Sequence, residues 1–282
     1  MPRTSKNTTP RIVQSPQNER LKLLRYALLH GGRSRKDAEG HSFLGIEGGN
    51  LVLEAVKSRL RLVTLFVTPD FFEQLEPAIR DVAEDVLLIE MDILATAVST
   101  EAPQPIAALI EPPEFEEAEL FSANPLLLVA DRLQDPGNLG TLIRSAEAFG
   151  ASGLICLPGT VSEWNPKCVR ASAGSVFRLP ILYRCEDHAL HILRESGVTV
   201  LAAVADGRDA AEFPLDSPVA LVIGNEGSGI SAELIAKCDG RISIPCPGPV
   251  ESLNAATAAS VLLYEASRQR RVREQEACSE PL

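Results

Sequence analysis

Three times between residues 125 and 264 the chain runs from an unbroken apolar stretch into a polar loop rich in glycine or proline, and from there into a helix-forming segment. The first stretch, Leu126-Leu127-Leu128-Val129-Ala130, is followed by Asp135-Pro136-Gly137-Asn138. The second, Val219-Ala220-Leu221-Val222-Ile223, enters Gly224-Asn225-Glu226-Gly227-Ser228-Gly229. The third, Ile242-Ser243-Ile244, leads through prolines 245, 247 and 249 to an alanine-rich segment beginning near Ser252. Apolar residues at successive rather than alternate positions suit strands covered on both faces. Such strands interleaved with helices predict a parallel α/β sheet, with strands near 126–130, 153–157, 198–203, 220–223 and 241–244. In an open parallel sheet the ligand crevice lies at the carboxyl ends of the strands, so the three loops mark where a site belongs.

Each loop carries side chains suited to polar contacts. Asn138 reads as the N-cap of a helix over 139–149 that closes at Gly150, with Arg144 on a face away from the apolar Leu142, Ala146 and Phe149. Taken alone, that pattern is equally an ordinary cap and a surface arginine. Glycines 224, 227 and 229 let backbone approach a ligand closely, and Glu226 is the carboxylate among them; Ser228 and Ser231 can cap a short helix near 232–237. The order G-x-x-G-x-G, late in the chain, argues against a dinucleotide-binding fingerprint, which needs G-x-G-x-x-G in an early βαβ unit. Ser252 reads as the cap of the last helix, and Asn254 falls in its first turn, where propensity favours other residues, so its amide is expected to make contacts.

A chain of 282 residues can hold two cores. The acidic, proline-containing stretch 111–123 reads as a solvated linker, separating a domain at 16–110 from one at 124–273, with a disordered start at 1–15 and a tail at 274–282. The first residues lack the apolar core of a signal peptide, and no apolar run approaches the roughly 18 residues of a membrane span. Six cysteines without a C-x-x-C pair, and four histidines, support neither a disulfide framework nor a metal site. A cytoplasmic protein with reduced thiols, away from membranes, is expected.

The three segments DPGNLGTLIRSAEAFG, LVIGNEGSGIS and ISIPCPGPVESLNAATAASVLLYEA together resemble the motifs of the SpoU (TrmH) family of the SPOUT superfamily, S-adenosylmethionine-dependent RNA ribose 2′-O-methyltransferases. The resemblance covers about residues 125 to 270; 40 to 110 more loosely resemble the RNA-binding domain that often precedes it, through FLGIEG, LFVT and STEAPQ. The family carries methionine where Cys246 stands and often serine where Ala256 stands, neither with an expected chemical role. The resemblance implies a SPOUT-type parallel sheet with a carboxy-terminal trefoil knot, a homodimer joined through the helix after the first motif and the last helix, and S-adenosylmethionine as cofactor.

It also implies roles. Asn138, Arg144, Glu226, Ser252 and Asn254 become the catalytic set, with Arg144 holding the ribose hydroxyl and adjoining phosphate. Leu221, Ile223, Gly224, Ile244 and Leu253 become the cofactor-binding set, Leu221 and Ile223 lining an adenine slot. A net charge of −11 opposes binding a polyanion at long range. Yet Arg20, Lys22, Arg25, Arg33, Arg35 and Lys36 form a segment free of acidic residues, suited to phosphate contacts or simply to a solvated helix face. Lys167, Arg170 and Arg178 are expected near the entrance to the site, and Trp164 either packs or stacks on a base. RNA, not DNA, is the expected partner, and ribosomal RNA the favoured substrate. A transfer RNA methyltransferase, or a catalytically silent RNA-binding or ribosome-assembly protein on the same fold, stands as the alternative.

Overall fold

Among the residues that the computed structural model describes, 10–31, 42–98, 100–249 and 252–279, the strands assemble into two sheets, each within its own unit. The first unit comprises Met1–Glu114 and Trp164–Arg178. It runs β1 (Arg11–Val13), α1 (Glu19–His30), β2 (Leu44–Glu47), α2 (Gly49–Lys57), β3 (Leu62–Val67), α3 (Pro69–Gln74), α4 (Pro77–Arg80), β4 (Val86–Ile89), α5 (Met91–Ala95) and β5 (Ile106–Ile110). The sheet order is β1-β4-β3-β5-β2, with β1, β4 and β3 parallel and β5 antiparallel to both of its neighbours. Leu24, Phe66 and Leu109 lie in its core. β1 falls inside the stretch expected to be disordered, because Arg11, Ile12 and Val13 pair in register with Leu87, Leu88 and Ile89; residues 1–9 lie outside the described ones.

The second unit comprises Phe115–Glu163 and Leu179–Leu282. The rest of the chain runs β6 (Leu126–Ala130), α6 (Pro136–Ala148), β7 (Gly153–Cys156), α7 (Pro166–Ser172), β8 (Ile181–Tyr183), α8 (Glu186–Glu195), β9 (Thr199–Asp209), β10 (Val219–Ile223), α9 (Ala232–Lys237), β11 (Gly240–Ser243) and α10 (Ala255–Ser279). All pairings in the order β11-β9-β10-β6-β7-β8 are parallel, as the continuous apolar runs predict. Every residue of β6 and β10 is buried. The chain leaves β6 toward β7 and β8, then crosses back so that β10 lies against β6 on the other side, and the loops after β6 and β10 open side by side at this switch point.

Three boundaries differ from those read in the sequence. The segment 111–123 is not a solvated linker: Glu117–Leu120 forms a 3-10 turn with a capping box between Glu116 and Glu119, and Leu120 is fully buried in the second core. Glu117 accepts a hydrogen bond from Arg184 at 2.9 Å and lies 3.1 Å from His188 Nε2, so its carboxylate is met by side chains from beyond the turn. Residues Trp164–Arg178, expected inside the carboxy-terminal domain, belong to the first unit, where α7 packs on α1, Trp164 is buried and Arg178 donates to Glu54 and Ser58. The tail expected from 274 continues α10 to Ser279.

α10 is held at its far end by arginines that the sequence shows only as a basic cluster. Arg270 donates to the backbone carbonyls of Leu215, Asn124, Pro125 and Ser217 at the amino ends of β6 and β10. Arg268 pairs with Glu265 and Arg273 with Asp216.

Candidate active site

The loop after β6 is fixed from within. Asp135, not Asn138, is the N-cap of α6: its carboxylate accepts from the Asn138 backbone N–H at 2.9 Å, and Pro136 occupies the first turn. That frees the Asn138 side chain, which sits on the first turn facing the loop after β10. There its Nδ2 donates to Glu226 Oε1 at 2.9 Å. Glu226 also accepts from the backbone N–H groups of Gln134 at 3.3 Å and Asp135 at 3.2 Å. Burial pushes the Glu226 pKa up, but the hydrogen bonds from Asn138 and from backbone N–H groups outweigh it and hold the carboxyl below its ordinary value.

Asn254 completes the network from the third loop. Its Nδ2 donates to Asn138 Oδ1 at 2.9 Å, while its Oδ1 accepts from the backbone of Ala256 and Thr257 at 2.9 and 3.2 Å. Asn254, rather than Ser252, therefore caps α10, and one side chain serves both helix and site. Three loops thus meet through Glu226, Asn138 and Asn254, each amide held in one orientation by what it donates to and accepts from.

In the second loop Gly224 has a steric role within the turn itself. A Cβ on Gly224 would lie 2.4 Å from Ile230 N and 2.5 Å from Gly229 C, so its hydrogen lets the turn close on itself. Asn225, unremarked in the sequence, organises that turn: Oδ1 accepts from Gly227 N and Ser228 N, both at 3.0 Å, and Nδ2 donates to Arg132 O at 2.8 Å. Ser228 joins this turn through its hydroxyl, and Ser231 alone caps α9. Arg132 pairs with both carboxylate oxygens of Asp131 at 3.0 Å and donates to the Gly229 carbonyl of the second loop at 3.4 Å.

Beside the network lies a cavity of about 460 Å³ lined by Ala203, Val204, Ile244, Cys246, Ser252, Leu253 and Leu262 among others. One wall exists because β9 and β11 slip register: Arg241 faces Ala202 but Ile242 faces Arg208, so residues 203–207 bulge outward. Gly207 permits this, since a Cβ there would lie 2.5 Å from the Ile242 carbonyl carbon. Of the expected cofactor set, Ile244 and Leu253 line the cavity. Leu221 and Ile223 are buried inside β10, where both sheet faces are covered, and are not among its lining residues. Gly224 is half-buried at the turn.

The structure leaves Arg144 outside the network: it is exposed on α6 and has no hydrogen-bond or ionic partner among the described residues. In the first unit Arg20 is exposed on α1, Lys22 pairs with Glu19 at 2.8 Å, and Arg25 is half-buried with its Nε unpaired. Glu19, just ahead of the basic run, therefore offsets part of it. Arg33, Arg35 and Lys36 lie outside the described residues.

Two units, one of them a parallel α/β sheet with three polar loops bonded together at one edge, are what the comparisons find in RNA ribose methyltransferases. Residues 125–264 match the SpoU rRNA Methylase family, and 46–116 match the RNA 2′-O ribose methyltransferase substrate binding family. The 23S rRNA (guanosine(2553)-2′-O)-methyltransferase RlmP of Bacillus subtilis is 35% identical over 253 residues, 89% of this chain and 97% of the relative. A 23S rRNA (uridine(2479)-2′-O)-methyltransferase of Streptomyces viridochromogenes is 35% identical over 201 residues, 68% of this chain and 70% of the relative. The crystal structure of an AdoMet-bound rRNA methyltransferase from Sinorhizobium meliloti superimposes with a TM-score of 0.80 at 30% identity, over 92% of this chain and 98% of that one. This chain belongs to the SpoU rRNA methylase family.

Proposed function

We propose that this protein transfers a methyl group from S-adenosylmethionine to a ribose 2′-hydroxyl of ribosomal RNA. The observation that carries the reading is the adjacency of two features: Ser252 and Leu253 line the cavity, and the next residue, Asn254, is bonded to Asn138. The cavity's volume and its mainly apolar walls, formed by residues of the bulge, the third loop and α10, fit a nucleoside-sized ligand. Ile244, Leu253 and the 203–207 bulge would hold S-adenosylmethionine, which supplies a methyl group on a sulfonium and so needs no metal. The two relatives described above, named for different nucleotides, are both named for 23S rRNA, which favours ribosomal RNA over transfer RNA.

The chain's own residues supply alignment. Asn138 and Asn254 are locked by each other and by Glu226, so their positions do not relax when substrate arrives. Arg144, without a partner among the described residues, is available to clamp an RNA phosphate and orient the attacking hydroxyl, with phosphate or water taking the proton released. A homodimer through α6 and α10 accords with the exposed stripe Val261, Tyr264 and Val272 on α10, whose Tyr264 meets Phe149 edge-to-face. The trefoil knot is proposed on family membership. Arg20, Lys22 and Arg25, with Arg33, Arg35 and Lys36, are the proposed phosphate contacts of the first unit.

The test is transfer of labelled methyl from S-adenosylmethionine to ribosomal RNA by the purified protein. Label recovered in alkali-resistant dinucleotides supports the proposal, because a 2′-O-methyl group blocks the hydroxyl that alkaline cleavage needs. Label found on a base would refute it.

A further inference from the structure

Among the described residues that line the cavity, Asp209 is the one Asp, Glu, Lys, Arg or His. Its Oδ1 accepts from the Ala211 backbone N–H at 2.9 Å, which caps the 3-10 turn Ala210–Glu212. The arginines closest to it in the sheet are committed elsewhere. Arg208 pairs with Glu212 at 2.9 Å and lies over the Phe213 ring, and Arg241 pairs with Asp206 at 2.9 Å. Asp209 itself makes no ion pair among the described residues, and its second oxygen has no bond there. Asp209 is half-buried and shares the cavity lining with Ile244, Leu253 and Leu262, so it offers an acceptor to a ligand's donor groups.

Its place in the sheet says which part of a ligand it meets. Asp209 is in register with Ser243, on the β9–β11 edge. Glu226 and Asn138 lie on the loops after β10 and β6, and Ser252 and Leu253 bring the cavity next to Asn254. A bound cofactor with its reacting end at Ser252 and Leu253, beside Asn254, would set its other end toward the β9–β11 edge that carries Asp209. We infer that Asp209 anchors the adenosyl end of the cofactor, accepting hydrogen bonds from its ribose hydroxyls or exocyclic amine. The inference rests on the reading of this cavity as the S-adenosylmethionine site.

Calorimetry on the full chain with S-adenosylmethionine, S-adenosylhomocysteine and adenosine separates the two. Asp209→Asn keeps a side chain able to cap the 3-10 turn while removing the anionic acceptor, and Asp209→Ser is a second capping variant; unchanged melting without ligand confirms each fold. The expected result is a loss of about tenfold in affinity, equal for all three ligands because all share the adenosyl group. A loss confined to S-adenosylmethionine would place Asp209 at the sulfonium end and overturn the inference, as would unchanged affinity for all three. Failure of the wild-type protein to bind any of them would instead remove the cofactor reading, and the inference with it.

Discussion

At the scale of single residues the site depends on side chains doing two things at once. Asn254 caps α10 and orients Asn138; Asn138 in turn links Asn254 to Glu226. The residue types were legible in the sequence, but their division of labour was not. Asp135 and Asn138 are both good cap residues, and the signal that decided between them was Pro136, which belongs just inside a helix start. The role proposed for Arg144 rests on the resemblance alone, because nothing in its surroundings marks it. Replacing Asn138 with Asp should put two carboxylates where a donor and an acceptor now meet. Its stability should be low at neutral pH and recover as one carboxyl protonates in acid, in denaturant titrations across pH. Wild type should behave oppositely. Glu226 has a folded pKa below its ordinary value, so its stabilising contribution is complete above that ordinary value and disappears as pH falls through the depressed one. Glu226→Gln should therefore lose less stability than wild type on acidification.

Elements were read well where the pattern was continuous and poorly where a few apolar residues hid among charges. β6 and β10 announce themselves because burial on both faces leaves no place for a polar residue. The turn Glu117–Leu120 was masked by its glutamates, since composition says nothing of the Arg184 and His188 that meet Glu117 from another element. Leu120→Ala should cost about 2–5 kcal/mol in urea denaturation, whereas Glu114→Ala, at an exposed position, should stay within about 0.5 kcal/mol. The 203–207 bulge was equally hidden, because a register slip depends on two strands and each reads as ordinary alone. Gly224→Ala meets backbone rather than a flexible side chain, so the turn must open and carry Glu226 with it. Methyl transfer should fall by about 10²-fold in steady-state assays, as misplacement of aligning groups by about 1 Å does elsewhere.

For the whole molecule, a net charge of −11 means that attraction to RNA depends on a few placed cations rather than on the overall field. Arg20→Ala with Arg25→Ala should weaken RNA binding and lower the slope of log affinity against log salt by about one to two, while S-adenosylhomocysteine affinity stays the same. The division of the chain could not be read from sequence in full: 164–178 lies between β7 and β8 in the chain, yet groups with the first unit, where α7 meets α1. The central claim is that Arg144 handles substrate while the cavity beside Asn254 holds the cofactor. It is tested most directly by Arg144→Ala, assayed side by side for methyl transfer to ribosomal RNA and for S-adenosylhomocysteine affinity. The account predicts that transfer falls by at least about 10²-fold with the affinity within about twofold of wild type. Transfer at the wild-type rate, or a matching collapse of cofactor binding, would contradict it.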